Sequence, residues 1–157
     1  MKLALLLLTV LLLAGCGKKA AGPDPIADRN RRFSESMNNV ALVGYSTRLN
    51  REGLSKQERY EIDGVSHVSG DTWLFRTRLK YESHDIPVPI PITVAWAGDT
   101  PVITLTDLSI PGVGTFTARV LMYRDQYAGT WSGKNAGGQL FGRIERRAWA
   151  QPAQSSK

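Results

Sequence analysis

The chain offers one thiol, two imidazoles and scattered carboxylates from which to build chemistry. Cys16 is the only cysteine among 157 residues. A lone thiol forms no intrachain disulfide and no Cys-based metal site, so what remains to it is the chemistry of a single nucleophile meeting an acylating or alkylating group. His67 and His84 lie near turn-like stretches, far apart in sequence and without metal-ligand spacing around either. Asp99, Asp107 and Asp125 fall at turns or strand ends, where Asp commonly satisfies backbone donors. Neither a Gly-x-Ser-x-Gly elbow nor a phosphate loop is present. These residues predict a non-catalytic protein with no cofactor and no metal.

The surroundings of Cys16 give its thiol a role. Met1-Lys2 opens the chain with positive charge, and residues 3–14 are apolar apart from Thr9. Such a run is too short to span a bilayer, which takes about 20 residues, and suits a cleaved signal segment. It ends in Leu13-Ala14-Gly15-Cys16, which resembles the lipobox of bacterial lipoproteins at every position. The resemblance implies removal of residues 1–15, a diacylglycerol on the Cys16 thiol and a further acyl chain on the freed amine. Two or three chains hold a protein to a membrane far more firmly than one. The expected partner is therefore the lipid bilayer, and the expected location is the cell envelope. Gly17 stands where an Asp would signal inner-membrane retention, so the resemblance favours the outer membrane.

Charge agrees with that setting. The formal net charge is +6, and loss of the signal segment removes Lys2 alone and leaves about +5. A basic, exported domain meets anionic envelope polymers or lipid headgroups. Export argues against nucleic acid as a partner.

Residues 16–38 read as the lipidated terminus and a flexible linker rich in Gly, Ala, Pro and charge. A short helix over 27–37 is an alternative. Asp28, Arg29, Asn30, Arg31, Arg32 and Glu35 leave it little apolar face, so a solvated segment is expected. Residues 149–157 read as a disordered tail.

Between them, residues 39–148 are predicted to be all-β. Strand signals recur near 39–47, 57–67, 72–82, 86–97, 101–107, 115–124, 127–132 and 138–146. In the third, Trp73, Phe75, Leu79 and Tyr81 alternate with the basic stripe Arg76, Arg78 and Lys80. Phe116, Ala118, Val120 and Met122 alternate likewise in the sixth. Period-2 alternation means one buried and one wet face. The connections are short, which forces antiparallel neighbours. Eight such strands either close into an up-and-down, calycin-like barrel or split into two packed sheets. Closure removes exposed edges and is favoured.

One segment breaks the rules. Ile86-Pro87-Val88-Pro89-Ile90-Pro91-Ile92 places proline at every odd position. Residues of one parity in a strand aim their N–H groups at the same neighbour, so three donors are missing along one side. A Gly98-Asp99-Thr100 hairpin would set Trp96 opposite Val102 and turn the proline side toward residues 108–113. The sheet is predicted to open there, with the fifth strand covering only the second half of the fourth. Pro89, Pro91, Trp96, Ile110, Pro111 and Val113 are the expected binding residues of that opening, for an apolar ligand or an extended peptide. Edge protection against stray strand pairing is the other use of such prolines.

Trp73, Trp96 and Trp131 fall in strands, as core or cavity lining. Gly129-Thr130-Trp131 is similar to the Gly-x-Trp of lipocalins, although that family carries it in the first strand. Residues 96–107, 114–120 and 127–131 together resemble an uncharacterised family of exported bacterial domains, which implies a recurring domain and no activity. The leading expectation is a lipid-anchored β-domain that binds an apolar small molecule, a lipid or a peptide segment. An envelope interaction protein that docks a partner through its basic stripe comes second, and an enzyme third. An internal cavity above roughly 300 Å³ separates the first from the second.

Overall fold

The computed structural model describes residues 22, 24–81, 84–110 and 114–148, without the side chains of 79–87. Cys16, Pro111, Val113, Trp149 and the 149–157 tail lie outside the described residues.

A helix, α1, spans Pro25–Ser36. Asp24 caps it, its Oδ1 accepting the Ile26 N–H at 3.0 Å, and Pro25 sits in the first turn, where its missing N–H costs nothing. Arg31 bonds Asp28 at 2.5 Å and Glu35 at 2.9 Å, and Arg32 also pairs with Asp28. The segment expected to be a solvated linker is thus helical from residue 25 onward. Its apolar face is only Phe33 and Met37, one helical turn apart, and both are buried. That pair is too small to register as a helical pattern. Tertiary burial supplies the stability instead, at about 1.5–3 kcal/mol for each large side chain.

Eight strands follow: β1 (Val40–Ser46), β2 (Glu58–Ser69), β3 (Thr72–Tyr81), β4 (His84–Ala97), β5 (Thr100–Ile110), β6 (Gly114–Tyr123), β7 (Gln126–Gly133) and β8 (Gly137–Arg146). Each pairs antiparallel with the next, and β8 returns to β1 from Val40↔Arg146 to Ser46↔Leu140. The result is a closed, calycin-like meander barrel. Trp73, Phe75, Val94, Ile103, Val120 and Met122 point inward into one core cluster that includes Phe33 and Met37 of the helix end.

The barrel has two unlike ends. At one, Gly70, Gly98 and Arg124 take positive φ in the tight hairpins, and Phe33 of α1 packs on Trp73 and Trp96. Arg146 ties the helix down by donating to the carbonyls of Glu35 and Asn38. At the other end lie the connections 47–57 and 134–136.

The proline segment behaves as its missing donors require. Pro87, Pro89 and Pro91 pair with Arg78, Arg76 and Leu74 of β3, while the Val94 N–H reaches Asp71 on the β3 side. Odd-numbered N–H groups therefore aim at β5, and Thr93 is the first odd residue after Pro91 that has one. The β4–β5 ladder begins there, at Thr93↔Thr104, and runs to Ala97↔Thr100. Trp96 pairs with Pro101 rather than with the expected Val102, because the turn holds two residues, Gly98-Asp99, instead of three. On the facing side, β5 kinks between Leu105 and Leu108, with Asp107 at φ 49° and its N–H on Thr117 Oγ1.

Outside the barrel, Ala41 and Val43 of β1 are buried although they do not belong to the interior cluster. Their register neighbours are Glu61 and Glu145, and Arg59 and Arg143. These form a charged ladder: Arg59 bonds Glu61 and Glu145, and Arg143 bonds Glu145 at 2.6 Å. Beside it Asp63 bonds Arg147 at 2.7 Å and Arg78 at 3.1 Å. The aliphatic stems of these side chains shield apolar surface.

Candidate functional site

The barrel encloses a cavity of about 790 Å³ that opens at the end away from α1. Its wall follows from the alternation. Ile90 and Ile92 of β4, Ile103 and Leu105 of β5, and Phe116, Ala118 and Val120 of β6 all point inward. Past the kink in β5, Leu108 and Ile110 resume the inward face and reach the mouth. Trp131 lines the cavity and donates from its indole to the Thr47 carbonyl at 3.3 Å, which ties β7 to the start of the 47–57 loop. That loop overhangs the mouth. Ser55 pins it, its N–H on the Ser46 carbonyl and its Oγ accepting the Ser46 N–H. Leu54, 57 % exposed, presents an apolar side chain at the rim.

Among the described residues a polar sector stands out in the wall. Glu58 accepts from Ser46 Oγ at 2.7 Å and from the Tyr60 hydroxyl at 2.6 Å. Tyr127 stands in the same sector, 3 % exposed and lining the cavity. Its ring fits because Gly44 and Gly142 lie beneath it. A Cβ on Gly142 would come within 2.8 Å of the ring and 2.2 Å of the Val43 carbonyl. Burial, with the Glu58 charge adding to it, pushes the Tyr127 phenol up to about 12. Burial and the bond to Glu58 raise Tyr60 as well. Both phenols stay protonated at neutral pH.

The expected binding residues divide. Ile110 lines the mouth. Pro89 and Pro91 do not: both are exposed, since odd positions of β4 face outward, and it is their neighbours Ile90 and Ile92 that reach the cavity. The missing donors of the prolines shape the opening while their rings stay outside it. Trp96 faces inward but at the closed end, against Phe33 and under the Arg29 guanidinium at 4.1 Å, so it seals the floor. Glu58, Tyr60 and Tyr127 were not picked out from the sequence. The one trace of them is Gly142 in the Gly-rich final hairpin, which marks a close approach without saying of what.

Other candidates for chemistry resolve simply. His67 is exposed and bonds the Gly70 carbonyl at 2.8 Å through Nε2. Arg78, from the basic stripe, is engaged with Asp63. Among the described residues no three His, Cys, Asp or Glu side chains group as a metal site.

No family model, curated protein or solved structure matches this chain. The fold and the cavity therefore define its class by themselves: an eight-stranded calycin-like barrel with an apolar interior, one end plugged and one end open.

Proposed function

We propose that this protein is an envelope lipoprotein, held to a membrane through acylated Cys16, whose barrel takes up an apolar or amphipathic small molecule such as a lipid. The observation that carries the reading is the cavity. At about 790 Å³ it falls within the 300–1,000 Å³ of usual ligand pockets, and its wall is mainly apolar with a few convergent polar groups. A barrel that served only as a rigid docking surface would be expected to fill that space with side chains.

The test uses a chain that starts at Gly17 and keeps α1 and all eight strands, whose core is self-contained. The neutral fluorophore N-phenyl-1-naphthylamine should bind one to one and shift to the blue. Ala118→Phe, which adds a ring on the inner wall, should weaken it several-fold. A wild-type chain that leaves the fluorophore in water and carries no organic molecule by mass spectrometry overturns the reading. For the anchor, Cys16→Ala in the full chain should abolish labelling by radioactive palmitate, and labelling that persists refutes the assignment.

A further inference from the structure

Among the described residues a polar row interrupts the inner wall. Tyr127 pairs with Gly142, Gly142 with Gly44, and Gly44 with Glu58, across four neighbouring strands. Because both middle positions are glycine, only backbone separates the phenol from the carboxylate along that wall. The Tyr127 hydroxyl lies 2.5 Å from where a Cβ on Gly44 would stand, so it reaches toward β2, the strand that carries Glu58.

Part of the hydrogen-bonding capacity of this row is unspent. Tyr127 is 3 % exposed and faces the cavity, and its hydroxyl makes no hydrogen bond among the described residues and is not sealed in the core. A phenol carries one donor and two acceptor sites, which a ligand in the cavity can use. Glu58 receives Ser46 on Oε1 and Tyr60 on Oε2, which uses two of the roughly four acceptor sites of a carboxylate. The fold thus presents a spare acceptor and a spare donor along one row of a mainly apolar chamber.

We propose that the cavity selects amphiphiles by an uncharged hydroxyl head group, which donates to Glu58 and accepts from the Tyr127 hydroxyl while the hydrocarbon tail lies against Phe75, Ile92, Leu105 and Val120. The assignment rests on the cavity-binding reading above. A hydroxyl is donor and acceptor at once and so meets both groups. A carboxylate or phosphate head offers Glu58 no proton and brings a like charge against it at close range, where the two repel. Arg48, Arg51 and Lys56 would attract an anionic head, but they stand exposed on the rim loop and its first turn, where water and salt screen them.

The experiment displaces N-phenyl-1-naphthylamine from the Gly17 chain with ten-carbon competitors that differ only at the head: 1-decanol, decanoate and decylammonium, at pH 7.5. Decanol should displace the fluorophore at a concentration about tenfold below decanoate. Glu58→Gln, which keeps the shape and removes the charge, should bring decanoate to within about threefold of decanol. Tyr127→Phe should weaken decanol about fivefold relative to the fluorophore, as loss of one hydrogen bond implies. Thermal midpoints of both variants check that the barrel is intact. Equal displacement by all three heads, or a preference for decanoate or decylammonium, overturns this proposal and leaves the cavity reading standing. Failure of the fluorophore itself to bind overturns the cavity reading.

Discussion

Phe33 stands edge-on to Trp73, with ring centres 4.8 Å apart and planes at 84°. Trp96 meets the same ring at 5.5 Å, so one helical side chain closes the barrel floor against two indoles. Edge-to-face contacts of this kind add about 0.5–1.5 kcal/mol to simple burial. Phe33→Ala should lower stability by about 3–5 kcal/mol, measured by urea denaturation. Ile26→Ala, on the same helix but 60 % exposed, should change it by less than about 0.5 kcal/mol. Equal effects at the two sites would mean that the helix does not dock as described.

The proline edge makes a prediction about association. Pro89 and Pro91 deny N–H donors to the side of β4 where β5 is absent, leaving an edge that a second chain cannot easily extend. Pro89→Thr with Pro91→Thr restores two donors there. The double variant should form dimers or larger species on size-exclusion chromatography at concentrations where the parent chain does not. Unchanged elution would indicate that the prolines serve some purpose other than edge protection.

Acid should weaken the charged ladder in a definable way. Burial acts to raise the Asp63 carboxyl, but Arg147 and Arg78 outweigh it and hold the group below its ordinary value of 3.8. A depressed folded value stabilises the native state above the unfolded pKa, and that contribution fades as pH falls through the folded one. Asp63→Asn should therefore cost about 1 kcal/mol at pH 7 and progressively less below pH 4. Thermal melts of both chains across pH 2–7 would reveal it, and a gap that widened in acid would contradict the assignment.

A side chain at Gly142 should be destabilising. An added Cβ would fall 2.2 Å from the Val43 carbonyl and 2.8 Å from the Tyr127 ring. Gly142→Ala should cost about 1–3 kcal/mol and move Tyr127, visible as a changed near-ultraviolet circular dichroism band. It should also lower the Tyr127 pKa from about 12, because burial is the main cause of that value. A spectrophotometric titration near 295 nm follows it. An unchanged titration together with unchanged stability would show that the ring does not rest on this glycine.

What the sequence by itself determined is whatever depends on one residue and its nearest neighbours. Alternation places Trp73 and Phe75, and Phe116 to Met122, on inner faces because side chains in a strand alternate by covalent geometry. Three prolines of one parity remove three donors from one side, and that local chemistry was enough to foretell where the β4–β5 ladder begins. The tertiary structure decided what depends on partners distant in sequence. Phe33 and Met37 are too few to announce a helix, and they make one only because Trp73 and Trp96 are there to receive them. Pro89 and Pro91, expected as lining, face outward, since a missing N–H and a side chain's direction are separate consequences of parity. The row from Tyr127 through Gly142 and Gly44 to Glu58 spans residues 44 to 142. Its members meet only because β8 closes onto β1, and a closure made of long-range backbone pairs leaves no mark on any short stretch of sequence.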